Sequence, residues 1–243
     1  MKIVAGYARL VLVLVALTWL MLARASDAAT PDASGHHAPS APQSLAAQPL
    51  VANFLGAIAS KDARRVADWV VASDDNDGLP FVIVDKVRAK VFVFDDRGRL
   101  LGVSFALLGA ALGDDSVPGI GSRKLSMIRP EERTTPAGRF VAGLGHDLRQ
   151  DVFWIDYNSS VSLHRVITGN PGDHRLKRLE TTSALDKRIT YGCINVPVKF
   201  FEEVMLPTFT GTTGIVYILP EIKTIQDVFA MVDRTIGRSV PSS

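Results

Sequence analysis

The pattern of hydrophobic and polar positions divides the chain into segments of different character. Apolar residues run almost unbroken from Leu10 to Leu22, whereas residues 26–49 are mostly Ala, Pro, Ser, Gln and His. Between Val51 and Val71 the apolar positions recur every three or four residues, which predicts an amphipathic helix or helix pair. From Phe81 onward, short runs of β-branched and aromatic residues predict strands.

The strand-like runs indicate a mainly β domain with flanking helices. The clearest are Phe81–Asp85 and Val91–Asp95, after which the turn Asp96–Arg99 leads into Leu100–Leu107. No long helices alternate with these runs, so the pattern disfavours a doubly wound α/β sheet. Further strands are predicted at 138–142, 152–157, 161–166 and 215–219, and further helices at 197–206 and 224–232.

The N-terminal apolar run has the features of a secretory signal peptide. Lys2 and Arg9 precede it, Ala23-Arg24-Ala25 follows it as a small-x-small cleavage site, and its length of about 13 residues is short of a membrane-spanning helix. We expect cleavage after residue 25 and a flexible spacer over 26–49, in which His36 and His37 are solvated tail residues rather than metal ligands. An uncleaved anchor is the alternative.

Composition narrows the class of protein. The chain has 243 residues, 47% of them hydrophobic, and a single cysteine, Cys193, which excludes a disulfide-rich scaffold and a multi-cysteine zinc site. The formal charge of +2 becomes −1 once Lys2, Arg9 and Arg24 leave with the signal, so the charge does not indicate a nucleic-acid partner.

The only thiol lies in a turn between a strand-like segment and a helix start. Gly192 permits a tight bend that exposes the sulfur of Cys193 and directs backbone N–H groups at a substrate carbonyl oxygen. A cysteine nucleophile also needs a base, usually histidine, because an unassisted thiol is mostly protonated at pH 7. The alternative is a small buried hydrophobic residue, and at this point both interpretations are open.

The residues around this turn resemble a known family. The run from Thr190 through Tyr191, Gly192, Cys193 and Ile194 to Asn195 resembles the nucleophile loop of the L,D-transpeptidases with a YkuD-type catalytic domain. Thr135–Phe140 resembles the family's Thr-Pro-x-Gly-x-Phe segment, and Val82–Leu107 its opening hairpin. The resemblance implies a YkuD-like β-sandwich catalytic domain over 80–220. The apolar pattern adds an amphipathic helix before it, in a segment spanning 50–79, and a C-terminal helix and tail after it, over 221–243.

The resemblance also implies an activity. Cys193 would attack a peptidoglycan stem peptide, form a thioester and pass the acyl group to an amine of a second stem or of a wall-attached protein. The N–H groups of Gly192 and Cys193 would stabilise the oxyanion, and Tyr191, Thr190 and Asn195 would bind substrate. No metal or cofactor is implied. We expect an exported protein of the periplasm or cell envelope that contacts the membrane only transiently, through its signal peptide.

Two histidines are candidates for the base. The usual family spacing to the nucleophile loop matches His174, whereas His164 ends a strand-like run, as the family's histidine does. On that strand Val161 and Leu163 share the core face, so Ser162 and His164 point the opposite way. We therefore expect His164 to be the base and the carbonyl of Arg165 to orient its imidazole.

Three departures from the family pattern affect the expected specificity. Tyr191 replaces the usual His, Arg165 replaces a small residue, and the segment 166–187 is long. In that segment Arg175, Lys177, Arg178 and Lys187 outnumber the acidic residues, so it is either an ordinary solvated loop or a lid that contacts carboxylates of the stem peptide.

Other interpretations stay open or are weak. The same cysteine and histidine with water as acceptor would make a peptidoglycan carboxypeptidase or amidase, and an inactive wall-binding module would need neither. The acidic pairs Asp95-Asp96, Asp114-Asp115 and Glu131-Glu132 are expected to be solvated loop residues, and His146-Asp147 lacks a serine in a nucleophile context.

Overall fold

The fold is built around one large mixed sheet. The computed structural model describes residues 50–147 and 149–229, so the predicted signal peptide (1–25), the spacer (26–49) and the end of the C-terminal tail lie outside the described residues. The strands are Phe81–Asp85 (β1), Lys90–Phe94 (β2), Leu100–Phe105 (β3), Leu108–Gly109 (β4), Gly138–Asp147 (β5), Gln150–Asp156 (β6), Val161–Arg165 (β7), Arg188–Thr190 (β8), Ile194–Val196 (β9) and Thr213–Ile218 (β10).

The eight-stranded sheet has the order β3-β2-β1-β10-β5-β6-β7-β9, and β4 pairs with β8 separately. The pairs β1–β10 and β7–β9 are parallel, and the other neighbours in the large sheet are antiparallel. The β7–β9 pair places the strand that contains His164 beside the strand that follows Cys193.

Both faces of the central strands are buried, which explains their unbroken apolar runs. On one face Phe81, Ile83 and Tyr217 pack with the first helix, and on the other face Val82 and Val84 pack with residues from β6, β7 and β9. Since strands from both ends of the sheet contribute to the second cluster, the sheet must curve around it. The predicted mainly β fold class with flanking helices is thereby confirmed.

The first helix is shorter than the sequence pattern predicted. The helix α1 spans only Lys61–Ser73. Ser60 caps its N-terminus, where the Ser60 side chain accepts a hydrogen bond from the Ala63 N–H. The preceding residues 50–60 are not helical, because Leu55 and Gly56 adopt positive φ angles of 49° and 81°. Phe54 still packs against the aromatic rings of β2, whereas Val51, Leu55 and Ile58 are exposed, so the segment contacts the sheet through Phe54 without forming a helix.

The remaining helices are short. They are Arg175–Glu180 (α2), Val198–Phe200 (α3), Leu206–Phe209 (α4) and Ile225–Val228 (α5), with a π-helical turn at Phe201–Met205 that joins α3 to α4. Thr224 and Asp227 form a capping box at the start of α5. Within the described ranges, no helix is long and apolar enough to span a bilayer.

Two of the acidic pairs are not simply solvated, contrary to expectation. Asp114 is buried and ion-paired with Lys86 at 2.7 Å, and its carboxylate accepts backbone N–H groups from Glu221, Ile222 and Lys223. Glu132 is likewise buried and binds Arg123 and Arg129. The sequence pattern does not show the pairing of Asp114, because its partners Lys86 and residues 221–223 come from distant parts of the chain.

Candidate active site

The register of β7 and β9 places the candidate base beside the nucleophile loop. His164 is paired with Asn195 in this parallel pair, so their side chains share a face of the sheet. Val161 and Leu163 face the core, as predicted, while Ser162 and His164 point the other way. Both polar side chains are nonetheless almost completely buried, because other segments cover this face.

The nucleophile loop between β8 and β9 is held by two threonines. The Thr190 hydroxyl donates to the Cys193 carbonyl at 2.6 Å and accepts the Gly192 N–H at 3.2 Å. The Thr135 hydroxyl donates to the Gly192 carbonyl at 2.8 Å and accepts the Gly109 N–H. These bonds tie the loop to β4 and to the Thr-Pro-x-Gly-x-Phe segment.

Glycine is required at position 192 for two reasons. Its φ of +133° is a conformation that L side chains rarely adopt, and a Cβ there would lie 2.8 Å from the Thr134 carbonyl oxygen. The predicted oxyanion role of its N–H is not available in this conformation, since the Thr190 hydroxyl already accepts it. Such a local turn could have been suspected from a threonine two residues before the glycine.

Cys193 opens into a cavity of about 500 Å³. Ser162, His164, Thr190 and Asn195 form its polar floor, and Arg175 lies at its side. Its apolar walls are formed by side chains from the 3₁₀ turns of 120–128, from β6 and from the loops around the site. These side chains are Ile120, Leu125, Ile128, Trp154, Ile167 and Tyr191. The cavity is therefore a mostly apolar cleft with the thiol and the imidazole on its floor, as is typical of a small-molecule or peptide site.

His164 has a partner at each ring nitrogen. Nδ1 lies 2.7 Å from the Arg165 carbonyl oxygen, and Nε2 lies 3.0 Å from Nδ2 of Asn195. Burial lowers the pKa of His164; the Arg165 carbonyl raises it, and the positive charge of Arg175 lowers it further. The imidazole is therefore neutral at pH 7, with its proton on Nδ1.

Cys193 is half-buried, and its sulfur contacts the turn that precedes β7 and the first half of that strand. Sγ lies 3.5 Å from the Ser160 carbonyl oxygen and 3.8 Å from Oγ of Ser162. Burial raises the pKa of the Cys193 thiol, while hydrogen bonds from Ser162 lower it. Thiol and imidazole are both neutral in this state.

The other sequence candidates occupy different positions. His174 is exposed at the start of α2 and does not line the cavity. Tyr191 lines it with 37% of its surface exposed, and its ring stacks under the guanidinium of Arg133 at 4.1 Å. Asn195 is buried against His164, which makes it a neighbour of the base more than a contact for substrate.

The long segment 166–187 is ordered by its own basic residues. Arg178 binds the carbonyls of Asp173 and Asp186, and the fully buried Lys187 binds the carbonyls of Thr181 and Ser183. Arg175 is the one basic residue of this segment that lines the cavity. The Arg165 side chain is also engaged, with Glu202 and with the ring of Phe201.

The fold gives three residues roles at the site that the sequence did not assign to them. Ser162 contacts the sulfur, Thr135 supports the loop and Arg175 reaches Asn195. The available signals were the position of Ser162 two residues before His164 on the same strand face and the family resemblance of the segment that begins at Thr135. Across the described part of the chain, no cluster of three or more His, Cys, Asp or Glu side chains is suited to hold a metal ion.

Comparison with known proteins returns only distant structural likeness. No family model and no curated protein matches the chain. An L,D-transpeptidase from Xylanimonas cellulosilytica matches with 13% identity and a TM-score of 0.34, over 58% of this chain and 60% of that one. The catalytic domain of an E. faecium L,D-transpeptidase matches with 14% identity and a TM-score of 0.35, over 58% of this chain and 96% of that one.

A third match is an LD transpeptidase in complex with imipenem, with 15% identity, a TM-score of 0.33 and 58% of each chain covered. The chain thus spans about three fifths of the first and third of these proteins. Likeness at this level does not identify an activity for this chain.

Proposed function

We propose that this chain is an exported cysteine acyltransferase of the cell wall, similar in chemistry to the L,D-transpeptidases. The observation that carries the proposal is the pairing of β7 with β9, which brings Cys193 and His164 to the floor of one cavity while the Arg165 carbonyl holds Nδ1 of the imidazole. A thiol, a neutral imidazole and an orienting acceptor are the parts that nucleophilic acyl transfer needs.

The reaction follows from these groups. Nε2 of His164 takes the Cys193 proton as Sγ attacks an amide carbonyl of a peptidoglycan stem peptide, and a C–S bond forms. The C–N bond then breaks, and the leaving amine of the D-amino acid takes the proton back from the imidazolium. An acceptor amine attacks the thioester, loses its proton to His164 and regenerates the thiol. The acceptor is a second stem peptide or a wall-attached protein.

The developing oxyanion needs a donor within the nucleophile loop. Since the Gly192 N–H donates to Thr190, the Cys193 N–H is the donor we assign to this role. Tyr191, at the rim of the cavity, and the neighbouring apolar wall contact the donor peptide. The segments 1–25 and 26–49 keep their proposed roles as signal and spacer.

The test is covalent labelling by a carbapenem, followed by intact-mass analysis. We expect one adduct on the wild-type chain, none on Cys193→Ala and an acylation rate lowered about 100-fold or more in His164→Ala. His174→Ala is the matched control and keeps most of the wild-type rate. A labelled His164→Ala together with an unlabelled His174→Ala would reverse the assignment of the base.

An inactive wall-binding module is the second candidate, because Asn195 occupies Nε2 of His164 in this structure. Absence of any Cys193-dependent adduct would favour it. If the adduct forms, incubation with muropeptides separates the remaining alternatives: new dimers indicate transfer to an amine, and shortened stems alone indicate a hydrolase.

A further inference from the structure

A continuous chain of polar contacts runs from the long segment 166–187 to the candidate base. Asp173 Oδ2 accepts from Nε of Arg175 at 2.9 Å, and Nη1 of Arg175 donates to Oδ1 of Asn195 at 2.9 Å. Nδ2 of Asn195 lies 3.0 Å from Nε2 of His164, whose Nδ1 meets the Arg165 carbonyl. Neither the family resemblance nor the proposed reaction assigns a role to Arg175.

The direction of each hydrogen bond in this chain is determined by chemistry. A guanidinium only donates, so the atom of Asn195 that faces Arg175 must be Oδ1, and the amide Nδ2 then faces His164. A backbone carbonyl only accepts, so the imidazole proton must be on Nδ1. The lone pair of Nε2 therefore points toward the Asn195 amide. The contacts at Nδ1 and at Nε2 both favour the same neutral tautomer of His164, with the proton on Nδ1.

We propose that Arg175 is a positioning residue: by holding Oδ1 of Asn195, it keeps the Asn195 amide on Nε2 of His164 and so keeps the imidazole neutral in the resting protein. The inference rests on the proposed function only in taking His164 as the base of Cys193. In this state Nε2 accepts from the Asn195 amide and the thiol donates to the Ser160 carbonyl, so catalysis requires the Asn195 amide to move aside when substrate binds.

Other charged and titratable groups line the same cavity as the imidazole. Asp173 and Arg175 come from the segment 166–187, Asp147 from the end of β5, and Arg123 from the 3₁₀ turns. Cys193 and Tyr191 belong to the nucleophile loop. Arg175 lowers the pKa of His164 and Asp147 raises it, so removing Arg175 raises the pKa both by removing a cation and by releasing the amide.

The first experiment measures the pKa of His164 directly, by NMR titration of the imidazole in the full chain. A Cys193→Ala background removes coupling to the thiol, and a His164→Gln variant identifies the signal among the 5 histidines. We expect Arg175→Met to raise this pKa. Lys177→Met is the matched control, because Lys177 is an exposed cation two residues away, and it should leave the pKa unchanged.

A double-mutant cycle separates positioning from simple charge repulsion. Asn195→Ala alone should raise the pKa, because a hydrogen-bond donor to the neutral imidazole is lost. If Arg175 acts through Asn195, Arg175→Met raises the His164 pKa less in the Asn195→Ala background than in the protein that keeps Asn195. Equal increments in both backgrounds, or no rise with Arg175→Met, would overturn the proposal. If Arg175→Met does not fold, Arg175→Lys replaces it in the measurement. Lysine keeps the positive charge but not the planar guanidinium with its several N–H donors, so an unchanged His164 pKa would contradict the positioning role.

Thiol reactivity gives an independent measurement that needs no peptidoglycan substrate. With Cys193 present, Arg175→Met should increase the iodoacetamide alkylation rate at pH 7 by roughly threefold or more, since a more basic His164 favours the thiolate–imidazolium pair. An unchanged or lower rate counts against the proposal. If Arg175→Met shifts the His164 pKa but no carbapenem labels the protein, the proposed function is wrong and this inference holds. If a carbapenem labels the protein but Arg175→Met leaves the His164 pKa unchanged, this inference is wrong and the proposed function holds.

Discussion

At the scale of single residues, Thr135 connects the nucleophile loop to the rest of the molecule. Its side chain is fully buried, and one hydroxyl serves both the Gly192 carbonyl and the Gly109 N–H. The sequence marked this residue only through resemblance to the Thr-Pro-x-Gly-x-Phe segment. The structure supplies the reason: a hydroxyl is needed that donates to one buried backbone group and accepts from another.

Thr135→Val should therefore damage the loop without changing the shape of the core. We expect it to destabilise the protein by about 2 kcal/mol, because two buried backbone groups lose their partner, and to slow Cys193 acylation by about tenfold or more through displacement of the sulfur. Urea unfolding and timed intact-mass measurements check both values. Thr135→Ser keeps the hydroxyl and should restore acylation; equal rates for Val and Ser would contradict the assignment.

The neutral state of the Cys193–His164 pair predicts a pH profile. Burial raises the pKa of the Cys193 thiol above its ordinary value and lowers that of His164 below its own, so little thiolate exists at pH 7. We expect the iodoacetamide alkylation rate to be low at neutral pH and to rise only in the alkaline range, at higher pH than for the denatured chain. A plateau of high reactivity between about pH 5 and 7 would instead reveal a preformed thiolate–imidazolium pair.

At the scale of elements, the site depends on how closely neighbouring segments approach. Gly109, in β4, lies against the backbone of Arg133–Thr135, and a Cβ there would be 2.4 Å from the Arg133 carbonyl oxygen. Backbone atoms cannot move aside as a flexible side chain can. This contact sets the distance between β4, the Thr135 segment and the nucleophile loop.

Gly109→Ala should accordingly separate these segments. We expect a loss of stability of about 3 kcal/mol from overpacking and a large loss of carbapenem acylation. Gly143→Ala on β5 is a suitable control, since a Cβ there meets its nearest neighbour at an ordinary 3.6 Å. Similar losses of thermal stability and of labelling for the two substitutions would show that the close approach of Gly109 to the Arg133 carbonyl does not determine the geometry of the site.

The elements also show where periodicity is informative. The apolar runs of β1, β2 and β7 were predicted within a residue, because strands buried on one or both faces carry a strong signal. The helical pattern of 51–71 was wrong for its first half, where the turn at Leu55 and Gly56 and packing of Phe54 on the sheet replace a helix. Local spacing was the same in both halves, and tertiary contacts decided between them.

At the scale of the whole molecule, a buried ionic cluster ties distant parts of the chain together. Nζ of Lys86 binds Asp114 and the carbonyls of Gly113 and Thr135, and Glu221 bridges Lys86 to Arg188. Burial alone would raise the pKa of Asp114, but the Lys223 N–H and the Lys86 ammonium outweigh it and lower the pKa to about 2. The cluster lies behind the nucleophile loop, since Thr135 belongs to both.

This cluster predicts acid sensitivity. Asp114 has a lower pKa in the folded protein, about 2, than its ordinary value of 3.8. Its stabilising effect is therefore present above pH 5 and is lost as the pH falls from about 4 to about 2, by about 2 kcal/mol. Asp114→Asn should cost roughly 3 kcal/mol at pH 7, because the buried Lys86 loses the nearer of its two carboxylate partners and keeps only Glu221 at 3.5 Å. It should also flatten the acid limb of stability in urea unfolding.

Asp115→Asn is the matched control for this measurement. Asp115 pairs with Lys223 on the surface, and 74% of the Asp115 side chain is exposed. Loss of the Asp115 charge should therefore change the midpoint of urea unfolding very little. An Asp115→Asn variant as unstable as Asp114→Asn would contradict the assignment of the acid transition to the buried pair.

Local patterns in the sequence were enough for the mainly β class and for the bounds of β1, β2 and β7, because runs of apolar side chains mark buried strands. Cys193 and His164 became candidates through a glycine before the thiol, a histidine on the non-core face of a strand and the family resemblance. Tertiary structure alone decided that Asn195 caps His164, that the Gly192 N–H is already satisfied, and that Asp114 and Lys86 form a buried pair. The physical reason is that such hydrogen bonds and ion pairs join residues far apart in the chain or depend on the exact rotation of one backbone group, and neither leaves a periodic trace in the sequence.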